Sequence, residues 1–171
     1  HTTVKTLALA FLILVGMAIP ATKTLTLRDD TIQAAVNNSG TLVINGACAL
    51  DGSVQQNAGA ALKVEGSGVG AATLTVAAGF TNNGTIDLTN GSLGQNATLN
   101  VTSGTLTNAA GATLKSSTGS TGGTRTLNAV LNNQGTFTVG TTLAVTRNDA
   151  AHQNSGTITL TNTHATTGFD A

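Results

Sequence analysis

The segment Asn82-Asn83-Gly84-Thr85-Ile86-Asp87-Leu88 contains the pattern that decides the fold. An Asn-x-Gly triplet is followed by Thr or Ala and then by two apolar residues separated by one residue. The pattern recurs at residues 38–44, 133–139 and 154–160, and in degenerate form at residues 57–64 and 108–114. Apolar residues at alternate positions predict a strand with one inward face. Because Gly and Asn tolerate positive φ, each triplet predicts a sharp turn before its strand.

The spacing of the copies indicates how the strands are organised. Their glycines lie at positions 40, 59, 84, 111, 135 and 156, which gives spacings of 19, 25, 27, 24 and 21 residues. Second strands with the same alternation lie between the copies, at residues 73–76, 98–101, 125–128 and 142–145. A repeat of this length is typical of one rung of a solenoid. The sequence therefore predicts a mostly β fold, a parallel β-solenoid of about six coils over residues 36–171. The alternative is a two-sheet sandwich, which short strands and regular turns also suit.

In a solenoid, equivalent residues of successive coils stack at about 4.8 Å. One inner column is predicted to contain Leu42, Leu62, Ile86, Leu114, Phe137 and Ile158. A second is predicted to contain Ile44, Val64, Leu88, Val139 and Leu160. The turn residues Asn38, Asn57, Asn82, Asn133 and Asn154 are predicted to form a ladder of amides bonded from rung to rung. The Gly/Ser/Thr-rich residues 115–125 interrupt the pattern and predict a surface loop.

Residues 7–21, LALAFLILVGMAIPA, are almost wholly apolar. They predict a single N-terminal hydrophobic α-helix over residues 4–20, within an assembly or membrane segment 1–21 that a connector, 22–35, joins to the solenoid. The side chains expected to mediate assembly are Leu7, Phe11, Leu12, Leu14, Val15 and Ile19. The alternative is a signal peptide cleaved at Ile19-Pro20-Ala21. The chain begins at His1 and not at Met, so we expect the segment to be retained.

The apolar run that follows closely on His1 and ends in Ala18-Ile19-Pro20 resembles the N-terminal segment of type IV pilins and archaeal pilins. Lys5 stands where bacterial pilins carry an acidic residue, which archaeal pilins also lack. The repeats of residues 36–161 resemble those of bacterial and archaeal surface proteins with parallel β-helices, including adhesins. The first resemblance implies a segment held in the membrane before it forms the core of a filament. The second implies an architecture and no particular ligand.

Composition argues against several classes of function. Only 8% of the residues are charged, seven basic residues balance seven acidic ones, and aromatic residues make up 2%, so a basic, aromatic nucleic-acid surface is not expected. No strand carries paired carboxylates, and Asp87 is expected on a solvated outer face. His152 and His164 have no partner at metal-ligand spacing. We therefore expect no enzyme activity, no cofactor and no metal.

The remaining expectations concern individual residues. Asn37, Asn83, Asn90, Asn96 and Asn100 begin Asn-x-Ser/Thr sequons and are candidate glycosylation sites. Cys48 cannot form an internal disulfide and is expected to be a buried apolar residue. Asp29 and Asp30 are expected to cap or turn the short segment 31–36.

Two functions remain open at this point. The first is a structural subunit of an extracellular, pilus-like filament, a homo-oligomer assembled through the N-terminal helix with the solenoid facing outward. The second is a secreted adhesin or surface-binding module for carbohydrate or ice, with residues 1–21 as its signal peptide. Outward threonine pairs such as Thr136/Thr138 and Thr157/Thr159 would form its recognition face.

Overall fold

A computed structural model describes residues 16–120, 122–148 and 150–161. It contains eighteen strands in these residues. In chain order they are β1 Met17–Ile19, β2 Thr24–Arg28, β3 Thr31–Ile32, β4 Val36–Asn38, β5 Thr41–Asn45, β6 Ala47–Leu50, β7 Val54–Gln56, β8 Ala61–Gly66, β9 Ala72–Val76, β10 Thr81–Asn82, β11 Thr85–Asn90, β12 Ala97–Asn108, β13 Thr113–Ser116, β14 Arg125–Asn133, β15 Thr136–Val139, β16 Leu143–Val145, β17 Gln153–Asn154 and β18 Thr157–Leu160.

The strands form three parallel stacks, which the chain visits in turn. Stack 1 contains β1, β4, β7, β10, residues 105–108 of β12, residues 130–133 of β14, and β17. Stack 2 is a separate seven-stranded sheet of β2, β5, β8, β11, β13, β15 and β18. Stack 3 contains β3, β6, β9, the first parts of β12 and β14, and β16. The described chain thus completes six circuits and begins a seventh. This parallel course is that of a β-solenoid and excludes the antiparallel pairing of a sandwich.

Side-chain alternation along stack 2 places the predicted apolar columns inside. The register joins Leu25, Leu42, Leu62, Ile86, Leu114, Phe137 and Ile158 in one column. It joins Leu27, Ile44, Val64, Leu88, Ser116, Val139 and Leu160 in the other. Both predicted columns are confirmed, and each begins one coil earlier than the sequence indicated. Ser116 fills the gap in the second column, and its hydroxyl donates to the Thr141 carbonyl at 3.2 Å.

The solenoid begins earlier in the chain than predicted. Met17–Ile19 form a strand that pairs with β4, so the prediction of a helix continuing to residue 20 is wrong for these residues. Ile19 is only 3% exposed and packs in the core. The expected connector 22–35 also belongs to the first coil, because it contains β2 and β3. Leu7, Phe11, Leu12, Leu14 and Val15 lie outside the described residues, so the rest of the predicted helix is not described.

Asp29 supports the turn between β2 and β3. Its φ is 53°, and its Oδ1 accepts a hydrogen bond from Ala47 N at 2.8 Å in the next coil. The expectation of a turn here is confirmed, while residues 31–32 and 36–38 form strands and not the alternative short helix.

The turns that lead into stack 2 have two lengths. In short turns the residue that ends stack 1 lies four positions before the first inward residue of stack 2, as from Asn82 to Ile86. In long turns the separation is six, as from Gln56 to Leu62 and from Asn108 to Leu114. Ile19 to Leu25 is also a long turn. Long and short turns therefore alternate over the first six coils, and a second short turn, from Asn154 to Ile158, follows.

The alternation explains the glycines of the short turns. A Cβ on Gly84 would lie 2.2 Å from Ala60 O and 2.7 Å from Asn57 O, both in the long turn of the preceding coil. Gly40 and Gly135 meet preceding long turns in the same way. Close approach of backbone therefore requires these glycines, and not the positive φ expected from the sequence. Positive φ occurs at Gly59 and Gly111, in the long turns.

Candidate interaction surfaces

A ladder of buried amides runs along the corner between stacks 1 and 2. Asn82 Nδ2 donates to Asn108 Oδ1 at 2.8 Å, and Asn108 Nδ2 donates to Asn133 Oδ1 at 2.8 Å. Asn133 Nδ2 donates to Asn154 Oδ1 at 2.7 Å, and Asn38 Nδ2 donates to Gln56 Oε1 at 2.9 Å. Side-chain amides inside a narrow core must be paired, because an unpaired buried donor costs about 1–3 kcal/mol. The ladder is therefore a structural element and leaves its buried amides little capacity for a ligand, while Asn154, at its end, is exposed.

The predicted ladder contained one wrong residue and lacked another. Gln56, and not Asn57, pairs in register with Asn82, while Asn57 Nδ2 bonds Asn37 Oδ1 and Ser39 Oγ on the outside. Asn108 is the missing member. The long turns explain both errors, because they move the ladder residue two positions further from the strand.

The outer face of stack 2 carries a threonine column. Its members are Thr24, Thr41, Thr85, Thr113, Thr136 and Thr157, with Ala61 in the third coil. Successive members lie one coil apart, at about 4.8 Å. This is a longer regular array than the two pairs that the sequence singled out.

A charged strip lies beside the threonine column in the middle coils. Lys115 Nζ lies 3.3 Å from Asp87 Oδ2, and Lys63 Nζ lies 3.5 Å from Glu65 Oε2. Asp87 also accepts a hydrogen bond from the Ser117 hydroxyl. It faces outward as predicted, but these partners bury it, so the expectation of a solvated carboxylate is wrong.

Arg125 holds the loop that follows β13. Its side chain points inward and is 0% exposed. Its guanidinium donates to the Ser117 carbonyl at 3.0 and 3.2 Å and to the Thr118 carbonyl at 2.9 Å. Burial lowers the pKa of this guanidinium, and the nearby Asp87 carboxylate acts in the opposite direction. The predicted loop 115–125 is shorter than expected, since residues 115, 116 and 125 belong to strands.

The five sequons lie in different environments. Asn37, Asn83 and Asn96 are exposed, and Asn100 is half-buried. Asn90 is 2% exposed, and its amide donates to the Gly122 carbonyl at 2.9 Å. A transferase needs access to the amide nitrogen, so Asn90 is not a candidate site in the folded chain.

The remaining candidate reactive groups lie apart. Cys48 is buried, which raises the pKa of its thiol. The His152 ring accepts a hydrogen bond from Leu131 N at 3.1 Å through Nδ1, and its Nε2 lies 3.1 Å from Arg147 O. His164 lies outside the described residues. Among those that are described, no three or more His, Cys, Asp or Glu side chains form a group that could hold a metal ion.

The C-terminal end of stack 2 presents apolar side chains to solvent. Ile158 is 37% exposed and Leu160 is 57% exposed, whereas their equivalents in the preceding coil, Phe137 and Val139, are fully buried. At the other end, Leu27 is buried. Within residues 16–120, 122–148 and 150–161, no helix is long and apolar enough to cross a membrane.

No protein-family model, curated protein or solved structure matches this chain.

Proposed function

We propose that this protein is a structural subunit of an extracellular filament, a homo-oligomer in which the solenoid faces outward. One observation carries the proposal: the columns of stack 2 run through all the described coils and are exposed at Ile158 and Leu160, in the last described strand. Isolated apolar groups are common on surfaces, but an open strand edge with exposed apolar side chains is a site for pairing with another chain. The neutral, Thr- and Asn-rich surface suits packing in an assembly.

Residues 1–15 are the proposed second assembly element. They contain the apolar side chains Leu7, Phe11, Leu12, Leu14 and Val15, and their resemblance to pilins supports a segment held in the membrane before assembly. Ile19 is removed from this group, because it belongs to the core of the first coil. Cleavage after Ala21 would remove β1, so a leader that leaves β1 intact ends at or before residue 16.

The test is electron microscopy of the full chain and of a variant that lacks residues 1–15. We expect filaments from the full chain, and folded, unassembled solenoids from the deletion variant. Circular dichroism verifies that the variant retains its β-structure. A variant with Leu93→Ser, a change at an exposed position remote from both ends of the solenoid, serves as the control and should assemble normally. A full chain that stays monomeric, or normal filaments from the deletion variant, would contradict the proposal.

The threonine column favours a second candidate, a surface-binding module for carbohydrate or ice. A regular outward array can match a repeating surface, although threonine is also common on strands for reasons of propensity. The variants Thr85→Lys and Thr113→Lys disrupt this column, while Thr73→Lys changes the outer face of stack 3. If this candidate holds, thermal hysteresis or glycan-array binding falls only in the first two variants. Absence of both activities in the unsubstituted chain would dismiss it.

A further inference from the structure

The two ends of stack 2 have matching strands. β2 at the N-terminal end reads Thr24-Leu25-Thr26-Leu27, and β18 at the C-terminal end reads Thr157-Ile158-Thr159-Leu160. In both strands the threonines face outward, and the apolar residues belong to the two inner columns. None of the eight paired side chains is charged. Placing β2 of a second copy beside β18 would therefore continue both columns and the threonine column without a break.

The hydrogen bonds between successive coils provide a template for that contact. The first residue of a stack 2 strand donates its N–H to the glycine carbonyl of the preceding short turn: Ala61 N to Gly40 O at 2.8 Å and Thr113 N to Gly84 O at 2.9 Å. The equivalent bond at the end of the molecule joins Thr24 N of a second copy to Gly156 O.

The amide ladder offers a second bond of the same kind. Each ladder amide also donates to the carbonyl of the first stack 2 residue one coil later: Asn82 to Thr113 at 3.1 Å and Asn108 to Thr136 at 3.1 Å. Asn133 donates to Thr157 in the same way at 3.2 Å. Asn154 is the last described member, and its Nδ2 donates to Gly156 O at 3.3 Å. The equivalent acceptor in a second copy is the Thr24 carbonyl.

The lengths of the first and last described turns fit this end-to-end arrangement. The last described turn, at residues 154–156, is short, and the first, at residues 19–25, is long. Inside the molecule a short turn is followed by a long one at Gly40 and at Gly84. One hydrogen bond between coils has no equivalent in this contact. In the long turns, Asn57 N and Ala109 N donate to the backbone carbonyls of Asn38 and Asn82, the ladder residues one coil earlier. The equivalent residue of the first coil is Pro20, which has no N–H. The contact therefore depends mainly on the strands of stack 2.

We propose that β18 of one copy docks in register against β2 of a second copy, so that solenoids stack end to end as one coil stacks on the next. This inference rests on the proposed function, since it specifies how subunits of the filament contact each other. The interface is heterologous and its two edges differ, so repetition produces an open chain of subunits and not a closed dimer.

Cysteine pairs in the full chain test the register. Thr26→Cys with Thr159→Cys, and Thr24→Cys with Thr157→Cys, place two outward residues opposite each other, at a separation that a disulfide can span. The matched control is Thr24→Cys with Thr159→Cys, which is two residues out of register. Native Cys48 is buried and should not compete. We expect mild oxidation to link the two in-register variants into ladders of covalent oligomers, with at least about tenfold less linkage in the control.

A second pair of variants tests the apolar contact without cysteine. Ile158→Lys with Leu160→Lys places charges at the open edge, and Leu93→Lys places one at an exposed position outside that edge. Light scattering should show a loss of assembly only in the first variant. Because its changed side chains are already partly exposed, its fold should survive, and circular dichroism verifies this.

The outcomes separate this inference from the proposed function. Filaments that form while the in-register pairs link no better than the control would overturn end-to-end docking and leave the filament function standing. Covalent oligomers of the in-register variants, in samples that contain no filaments, would support the docking and contradict the filament function. Monomers that form no covalent oligomers would overturn both.

Discussion

Asn108 occupies the centre of the amide ladder. It accepts a hydrogen bond from Asn82 and donates to Asn133 and to the Thr136 carbonyl, so both polar atoms of its side chain bond to neighbouring coils. Asparagine suits this position because one short side chain carries both an acceptor and two donors. The ladder replaces part of the apolar core with bonds that run parallel to the solenoid axis.

We expect Asn108→Ala to destabilise the fold by about 2–3 kcal/mol, because it removes the donor to the Asn133 side-chain oxygen and an acceptor of the Asn82 amide, and opens a small cavity. Urea unfolding followed by circular dichroism measures the change. Gln134→Ala, an exposed position beside the ladder, is the control and should change stability by less than about 0.5 kcal/mol. Equal stability of the two variants would show that the ladder adds nothing.

Cys48 offers a second test at the residue scale. Burial raises the pKa of its thiol, so the folded protein holds the thiol proton more tightly than the unfolded chain does. The resulting stabilisation is present below the unfolded pKa and is lost as pH rises through the folded pKa. Because the thiolate is the reactive form, we expect labelling by a thiol reagent at neutral pH to be at least about tenfold slower in the folded protein than in urea. Equal rates would mean that Cys48 is accessible.

The strands and turns show which features of the fold can be predicted from a short stretch of sequence. Alternation within four residues decides which side chains of a strand face inward, so both apolar columns could be predicted. The turns needed one more observation: residues 56–62 and 108–114 share a six-residue spacing, Gly at the fourth position and Ala at the fifth. Aligning these two segments with each other, and not with the short turns, would have placed Gln56 and Asn108 in the ladder.

Other features depend on contacts that the local sequence does not contain. The apolar run 7–21 is nearly continuous and has no period that separates a helix from a strand. Only the pairing of Met17–Ile19 with β4 reveals that these residues belong to the solenoid. The burial of Arg125 likewise depends on the loop after β13, whose carbonyls turn toward it.

The loop held by Arg125 allows a prediction at the scale of an element. Arg125→Met keeps an apolar stem inside but removes the donors for the Ser117 and Thr118 carbonyls. We expect the coils to stay folded while hydrogen exchange of the Ser120 amide, which donates to the Asn90 carbonyl, accelerates at least about tenfold, since the loop loses its anchor. Arg125→Lys retains the charge without the planar donor group, so its Ser120 amide should exchange at a rate between those of the unsubstituted protein and Arg125→Met. Unchanged exchange in Arg125→Met would show that the loop is held by its other contacts.

At the scale of the molecule, a solenoid is a linear array in which each coil contacts only its neighbours. The free energy of unfolding is then a sum of coil and interface contributions. The terminal coils are the least stabilised, because each has only one neighbour. The two ends of this chain differ: Ile19 and Leu27 are buried in the first coil, and Ile158 and Leu160 are exposed in the last. Because stack 2 is parallel, with β2 at one edge and β18 at the other, the molecule has the direction that head-to-tail assembly requires.

Two truncations test where the first coil begins. A chain that starts at residue 16 keeps β1, whereas one that starts at residue 22 loses Ile19 and the long turn after it. We expect the shorter chain to be less stable than the longer one by about 3 kcal/mol or more, because a buried isoleucine and one strand pairing are lost. Thermal unfolding of both as monomers measures the difference, and Ile19→Ala in the longer chain isolates the side chain from the backbone. Equal unfolding of the two chains would mean that β1 adds nothing to the stability of the solenoid, and that a signal peptide cleaved after Ala21 remains compatible with the fold.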